Sequence, residues 1–372
     1  MKTPAKIAWI SCVGEKGGAE VTMLHTFRVM DRTRFHPVVV QLRPGPLSRE
    51  LKELEVDNYV LTEHRMRNAW AVAQAIRQIA SLAKQHHFAL LHSNGFRAHV
   101  YGGLGAWKAG IPEVWTGHTA EVPGISTQAI LAIPTRQVIA NCPRTAQFFE
   151  KAGKPTKMIW PGVNTSQLDR GTSRAELAAK YQLPADRHWV SMGARLQRFK
   201  GQREFVRAIA SLPAAAGIHG IVIGGSLFGQ ENDYERELRA LAVELQVTDR
   251  ITFTGFIPDA DVAGLLGASS LTLHPAHEED FGLAVAEAQA LGVPTIAFAT
   301  VGPSAIIEEG RTGSLVPIGD QAALNQSLAK AVAHPEQLKE LGRAARERSR
   351  RLFSIEEHVH QTQEVYSRVL AG

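Results

Sequence analysis

The sequence predicts an α/β protein with two Rossmann-like, doubly wound domains, and three observations carry that expectation. A chain of 372 residues is longer than one hydrophobic core ordinarily serves, so it should divide in two. Continuous apolar runs such as Ile7-Ala-Trp-Ile-Ser-Cys-Val13 mark strands covered on both faces, and they alternate with glycine turns and helical periodicity. After the polar stretch Ser166 to Arg187, the series starts afresh at Trp189-Val-Ser-Met-Gly193.

Composition narrows the class. With 41 Lys and Arg against 36 Asp and Glu, the formal charge is only +5. That is too modest to imply nucleic acid and suits an anionic small molecule or lipid surface equally well. Cys12 and Cys142 lie in or beside apolar runs without Cys-x-x-Cys or His/Cys clustering, which disfavours a disulfide framework and a zinc site. No apolar run reaches membrane-spanning length and the N-terminus lacks a convincing signal segment, so a cytoplasmic protein is expected.

In the first half, the strand Ile7 to Val13 feeds the loop Gly14-Glu-Lys-Gly-Gly-Ala-Glu20 and a helix from Val21 to Met30. Strand, glycine turn and helix together let backbone N–H groups approach a phosphate or sugar, and an ordinary βα turn is the alternative reading. Val38 to Leu42 and Asn58 to Leu61 read as further strands, with Arg43-Pro-Gly-Pro as a turn. Trp70, Ala73, Ile76 and Ile79 recur at helical spacing between Asn68 and His86, flanked by Arg65, Arg67, Arg77 and Lys84. A solvated basic face is the better reading of that flank, and an anionic membrane the alternative.

Phe88 to Gly95 reads as a strand delivering His92, Ser93 and Asn94 to its carboxyl edge. After a helix over Arg97 to Ala109, Glu113-Val-Trp-Thr-Gly-His-Thr119 ends in His118 at the same edge, where α/β sheets bind ligands. Val138 to Cys142 opens another βα unit, and Lys157 to Asn164 is a strand and turn.

In the second half, a short helix covers Arg174 to Tyr181. The strand Trp189 to Gly193 runs into Gly193-Ala-Arg-Leu-Gln-Arg-Phe-Lys-Gly201, which gathers Arg195, Arg198 and Lys200 before a helix opening at Gln202. Such a cationic loop suits a phosphate, and a solvated basic loop is the alternative reading of the same residues. Gly220 to Gly225 and Arg250 to Pro258 contain strands, and Asp259-Ala-Asp261 reads as an N-capping turn with a dipole-friendly acid rather than a metal site.

Leu271 to His274 is a strand, followed by a loop with Glu278, Glu279 and Asp280. A helix should start near Phe281 and stop at Gly292, before Pro294. Three acids crowd a helix start that itself favours an anion; on charge alone they read as surface acids complementing the helix dipole, with Glu287 a solvated helix residue. Glu287 sits in Leu283-Ala-Val-Ala-Glu-Ala-Gln-Ala-Leu291, apolar almost all round, so its carboxyl needs a partner. Up to roughly 12 Å separates Glu279 from Glu287 at helical rise, a span for one ligand touched at both ends. The strand Thr295 to Phe298, the segment Gly302 to Gly310, a helix over Gln321 to Ala333, the basic stretch Arg343 to Arg351 and a last helix from Ile355 to Leu370 complete the chain.

Glu279-Asp-Phe-Gly-Leu-Ala-Val-Ala-Glu287 closely resembles the Glu-x7-Glu segment of the retaining GT-B glycosyltransferases of family 4, the group 1 glycosyl transferases. Gly17-Gly18-Ala-Glu20 and Arg195-x4-Lys200-Gly201 resemble that family's glycine loop and phosphate loop. The resemblance implies domains over residues 1–168 (acceptor side) and 169–353 (nucleotide-sugar side), facing each other across a cleft, with 354–372 crossing back onto the first. It implies transfer of a sugar from a uridine or guanosine diphosphate donor to an acceptor hydroxyl, with retention, and without metal or other cofactor.

By the same resemblance, Glu279 would hold sugar hydroxyls, Glu287 the ribose, Arg195 and Lys200 the diphosphate, and His118 the sugar. Gly17, Gly18, Gly225, Ile257, Phe281, Gly282 and Leu283 would complete the donor contacts, with Asn94 and Glu121 toward the acceptor. A glycan or lipid-linked glycan acceptor is implied, in polysaccharide, lipopolysaccharide or glycolipid synthesis, with peripheral association at the inner face of the plasma membrane. Ala305 departs from the family, which often has Glu there. The rival readings are a nucleotide-sugar epimerase or hydrolase on the same fold and a non-catalytic nucleotide-sugar-binding protein. No Gly-x-Gly-x-x-Gly with a following ribose acid supports a dehydrogenase.

Overall fold

A computed structural model describes residues 3–14, 17–61, 69–119, 126–226 and 233–372. The chain divides into two compact units, Met1–Gly162 with Ile355–Gly372, and Val163–Ser354. The boundaries expected from the sequence, after residues 168 and 353, lie six residues later and one residue earlier than these.

Among the described residues the first unit has a seven-stranded, all-parallel sheet: β1 (Ala5–Ser11), β2 (Phe35–Gln41), β3 (Asp57–Val60), β4 (Leu90–Asn94), β5 (Glu113–Gly117), β6 (Gln137–Ala140) and β7 (Thr156–Met158). Their spatial order is β3-β2-β1-β4-β5-β6-β7. The second unit has β8 (His188–Gly193), β9 (Ile218–Ile223), β10 (Ile251–Phe253), β11 (Leu271–His274), β12 (Thr295–Phe298) and β13 (Gly313–Val316), also parallel, in the order β10-β9-β8-β11-β12-β13. Each order reverses beside the unit's first strand, at β1/β4 and at β8/β11. The crevice at the carboxyl ends of such a strand pair is where ligands bind in open α/β sheets.

The unbroken apolar strands are explained by burial on both faces. Along β1, Ile7 and Trp9 join the core that also contains Val359 and Tyr366 of the helix Ile355–Ala371, while Ala8 and Ile10 join the core on the opposite face. In the second unit Val190 and Met192 point into one core and Trp189 into the other. Each fully buried large apolar side chain contributes about 1.5–3 kcal/mol.

Most boundaries fall within two residues of those read from sequence, and two differences matter. The helix expected near Phe281 begins at Leu283 (Leu283–Ala290). Gly282, at φ 89°, turns the chain, and Phe281 is committed to Gly302, where a Cβ would lie 2.0 Å from the Phe281 carbonyl oxygen. The helix ends where expected, at a left-handed Gly292. Asp261 is no surface acid. It is buried in the helix Asp259–Gly267 and accepts hydrogen bonds from Lys180 Nζ and Tyr181 Oη (both 2.6 Å) and Thr172 Oγ1, fastening the helix Arg174–Lys180. Pro258, not an aspartate, occupies the N-cap.

Candidate functional site

The second unit's site is assembled from the two loops that leave β8 and β11, neighbours at the switch point. The chain after β8 turns through Ala194 and Arg195 to a short 3-10 turn, Arg198–Lys200, and enters the helix Gln202–Ser211 at Gly201. Gly201 has φ 84°, and a Cβ there would stand 1.9 Å from the Pro275 carbonyl oxygen, so glycine is what lets the β8 loop lie against the β11 loop. A backbone hydrogen bond from His277 N to Phe199 O (2.8 Å) ties the two again.

This clamp brings Lys200 to Glu279, with Nζ 2.8 Å from Oε2. His274, the last residue of β11, donates from Nε2 to the same oxygen at 3.0 Å, because an ionised carboxylate can only accept. Burial pushes the Glu279 carboxyl upward, but the hydrogen bond and charge of His274 and then Lys200 overcome it and hold the pKa at about 2. Arg195 is fixed through its backbone, Gln202 Nε2 donating to its carbonyl oxygen at 2.8 Å. Its guanidinium has no hydrogen bond or ion pair among the described residues. Arg198 is spoken for: it forms a two-pronged pair with Glu237 (2.7 and 2.8 Å) and lies over the Tyr234 ring. Of the three cations gathered by the loop, Arg195 is left open among the described residues and Lys200 is joined to the carboxylate.

Glu287 projects from the second turn of the helix Leu283–Ala290, half-buried. Burial first, and the charge of Asp259 second, raise its pKa to about 8, so it carries its proton at neutral pH. Gly225 lies against Phe256, whose ring would be 2.8 Å from an added Cβ, beside Ile257. Phe256 itself is largely exposed. Among the described residues no three His, Cys, Asp or Glu side chains gather as metal ligands would.

In the first unit, β4 and β5 run in register with Asn94 opposite Thr116, which sets their two terminal polar groups side by side. His118 Nε2 donates to Asn94 Oδ1 at 2.7 Å, and Asn141 Nδ2 donates to the His118 carbonyl oxygen at 3.1 Å. Burial, then the charge of His358, lowers the His118 pKa to about 4, so the ring is neutral at pH 7. His92 beneath it is locked between Tyr366 Oη and Thr116 Oγ1 and stacks on Trp9 at 3.7 Å. Trp9, His92, Asn94, His118, Asn141 and His358 share one small hollow.

Gly17 caps the helix Gly18–Val29, and its N–H is taken by Glu20 Oε2 at 3.1 Å. Apart from its chain neighbours and its own helix backbone, no atom of the described residues comes within 4 Å of a Cβ added at Gly18. Lys16 and Glu121, as well as Arg65 and Arg67, lie outside the described residues.

Two family models match the chain: "Glycosyltransferase Family 4" over residues 16–167 and "Glycosyl transferases group 1" over residues 173–348. The chain belongs to the group 1, family 4 glycosyltransferases. A D-inositol 3-phosphate glycosyltransferase of Saccharomonospora viridis is 26% identical over 362 residues, covering 90% of this chain and 83% of that one. Its counterpart in Gordonia bronchialis is 29% identical, covering 76% and 67%. Among solved structures, Anabaena Alr3699/HepE in complex with UDP-glucose has a TM-score of 0.83 at 25% identity, covering 97% and 99% of the two chains. A glycosyltransferase from Rickettsia africae shares the fold at TM-score 0.86 and 19% identity, covering 99% of each. The architecture is GT-B.

In this glycosyltransferase the residues singled out by sequence fall into two groups. Glu279, Lys200, Arg195, Phe281, Gly282 and Leu283 stand on or beside the clamped loops, and Glu287 on the helix that follows; His118 and Asn94 form a bonded pair in the first unit. Asn94 is engaged through its Oδ1 by His118. His274 was missed, although a histidine ending a strand five residues before Glu279 was a usable signal. Ala305 stands in the helix Val301–Ile306, where Arg348 donates to the carbonyl oxygens of Ala305 and Ile306.

Proposed function

We propose that this glycosyltransferase moves a sugar from a nucleoside-diphosphate donor to an acceptor hydroxyl with retention of anomeric configuration and without a metal. The observation that carries the reading is the convergence of Arg195, Lys200 and Glu279 on one pair of loops at a sheet switch point. Arg195 and Lys200 stabilise the diphosphate as its negative charge grows, which lowers the barrier to its departure. Glu279 accepts hydrogen bonds from sugar hydroxyls, and Glu287 engages the ribose. His118, neutral, offers a ring nitrogen to a sugar hydroxyl.

In the reaction the anomeric carbon–oxygen bond to the diphosphate breaks. The acceptor oxygen bonds to that carbon on the same face, and the acceptor proton passes to the departing phosphate oxygen. The UDP-glucose bound to Anabaena Alr3699/HepE supports a uridine donor. A glycan or lipid-linked glycan acceptor, in polysaccharide, lipopolysaccharide or glycolipid synthesis, completes the proposal. No helix among the described residues is long and apolar enough to cross a membrane. Peripheral contact with an anionic surface is supported by Trp107, 70% exposed beside Lys108.

The test is product analysis. Nucleoside diphosphate should accumulate from a diphospho-sugar only when acceptor is present, and the anomeric proton coupling of the product should match that of the donor. Rapid diphosphate release without acceptor, or an inverted product, would refute the reading.

A further inference from the structure

Among the described residues Glu279 is held by one oxygen only. Lys200 Nζ at 2.8 Å and His274 Nε2 at 3.0 Å both address Oε2, while Oε1 has no partner among the described residues. The two anchors differ in kind. Lys200 is a flexible chain on a loop, and the proposed reaction also asks it to meet the diphosphate. His274 is 4% exposed on β11, whose backbone pairs with β8 and β12, so it cannot follow a ligand.

We infer that His274 is a positioning residue: it ties Glu279 Oε2 to the sheet so that Oε1 stays presented to the donor sugar when Lys200 turns to the diphosphate. This rests on the reading of Glu279 as the sugar-binding carboxylate. A carboxylate released by its lysine would otherwise swing about its side-chain torsions, and each unfixed rotor weakens the contact it makes with a ligand. The hydrogen bond from His274 is charge-assisted, the strong class for such an anchor. Neighbouring contacts keep the loop itself in place without His274: Gly302 N donates to the Glu279 carbonyl oxygen at 2.9 Å, and His277 N to Phe199 O. Removing the imidazole therefore frees the carboxylate and leaves the backbone where it is.

The experiment is a calorimetric titration of wild type, His274→Leu and His274→Gln with UDP, UDP-glucose, GDP and GDP-mannose. The quantity read is the ratio of dissociation constants for a nucleoside diphosphate and its diphospho-sugar, which isolates the sugar's contribution. Leu fills the space without a donor, whereas the Gln amide reaches as far as Nε2 and keeps one. For the nucleotide that wild type takes, the sugar's contribution should fall about tenfold in His274→Leu, the cost of one charge-assisted hydrogen bond. It should return to within about threefold of wild type in His274→Gln, with bare diphosphate bound alike by all three. A His274→Leu protein that keeps the full sugar contribution, or that loses bare diphosphate in parallel, overturns the assignment. Failure of wild type to bind either nucleotide overturns the donor reading itself, and this inference with it.

Discussion

Lys200 Nζ lies 2.8 Å from Glu279 Oε2, in a pair whose side chains are only 16% and 14% exposed. Two residues 79 positions apart meet because a glycine at 201 lets one loop lie on the other. Lys200→Ala should cost about 2 kcal/mol of stability, since it removes a charged hydrogen bond at a mostly buried site. The Glu279 carboxyl, held at about 2, contributes stability that is complete above the ordinary carboxylate range and is lost as pH falls toward 2. Urea denaturation between pH 6 and 2.5 should therefore show the wild-type advantage over Glu279→Gln shrinking as the solution is acidified.

Glu287 shifts the other way. Its folded-state pKa of about 8 means that the fold favours the protonated acid, an advantage complete below the usual value of 4.5 and lost as pH rises through 8. Glu287→Gln should gain stability relative to wild type between pH 6 and 9. If the ribose binds the ionised form, donor binding at pH 7 should release about one proton. Titrations in buffers of different ionisation enthalpy measure that number directly.

The neutral His118 is the first unit's counterpart, anchored by Nε2 on Asn94. Asn94→Asp places a negative charge on that hydrogen bond and should raise the imidazole pKa from about 4 by roughly 1–3 units. A pH–rate profile should then gain an acidic limb that wild type lacks above pH 5. Asn94→Ala should lower the rate without moving the limb.

Two glycines make a contrast. Gly201→Ala forces a left-handed residue and a backbone clash with Pro275, and should cost about 3 kcal/mol or more. Gly18→Ala meets no packing neighbour among the described residues, so thermal unfolding should be unchanged while donor affinity falls.

The parallel sheets were legible in the sequence because strands buried on both faces leave unbroken apolar runs, as at Ile7 to Ile10, where neighbours point into separate cores. The start at Gln202 was legible because Gly201 interrupts the chain there. What sequence did not give were pairings made by long-range packing. Asp261 reads locally as a helix-starting acid, and only the approach of the helix Arg174–Lys180 makes it a buried anchor held at about 2. Arg198 and Arg195 look alike in sequence; Glu237, 39 residues on, separates a paired surface cation from one that is open among the described residues. The Glu279 trio depends on β8 and β11 being neighbours, which no local pattern encodes.

The most direct measurement is the dissociation constant of a uridine or guanosine diphospho-sugar for wild type, Arg195→Ala and Arg198→Ala. A cation aimed at the diphosphate should be worth about a hundredfold in affinity, whereas an exposed surface pair contributes little. The account predicts donor binding by wild type, a loss of that order in Arg195→Ala and none in Arg198→Ala. Equal affinity in all three proteins, or a loss only in Arg198→Ala, would contradict it.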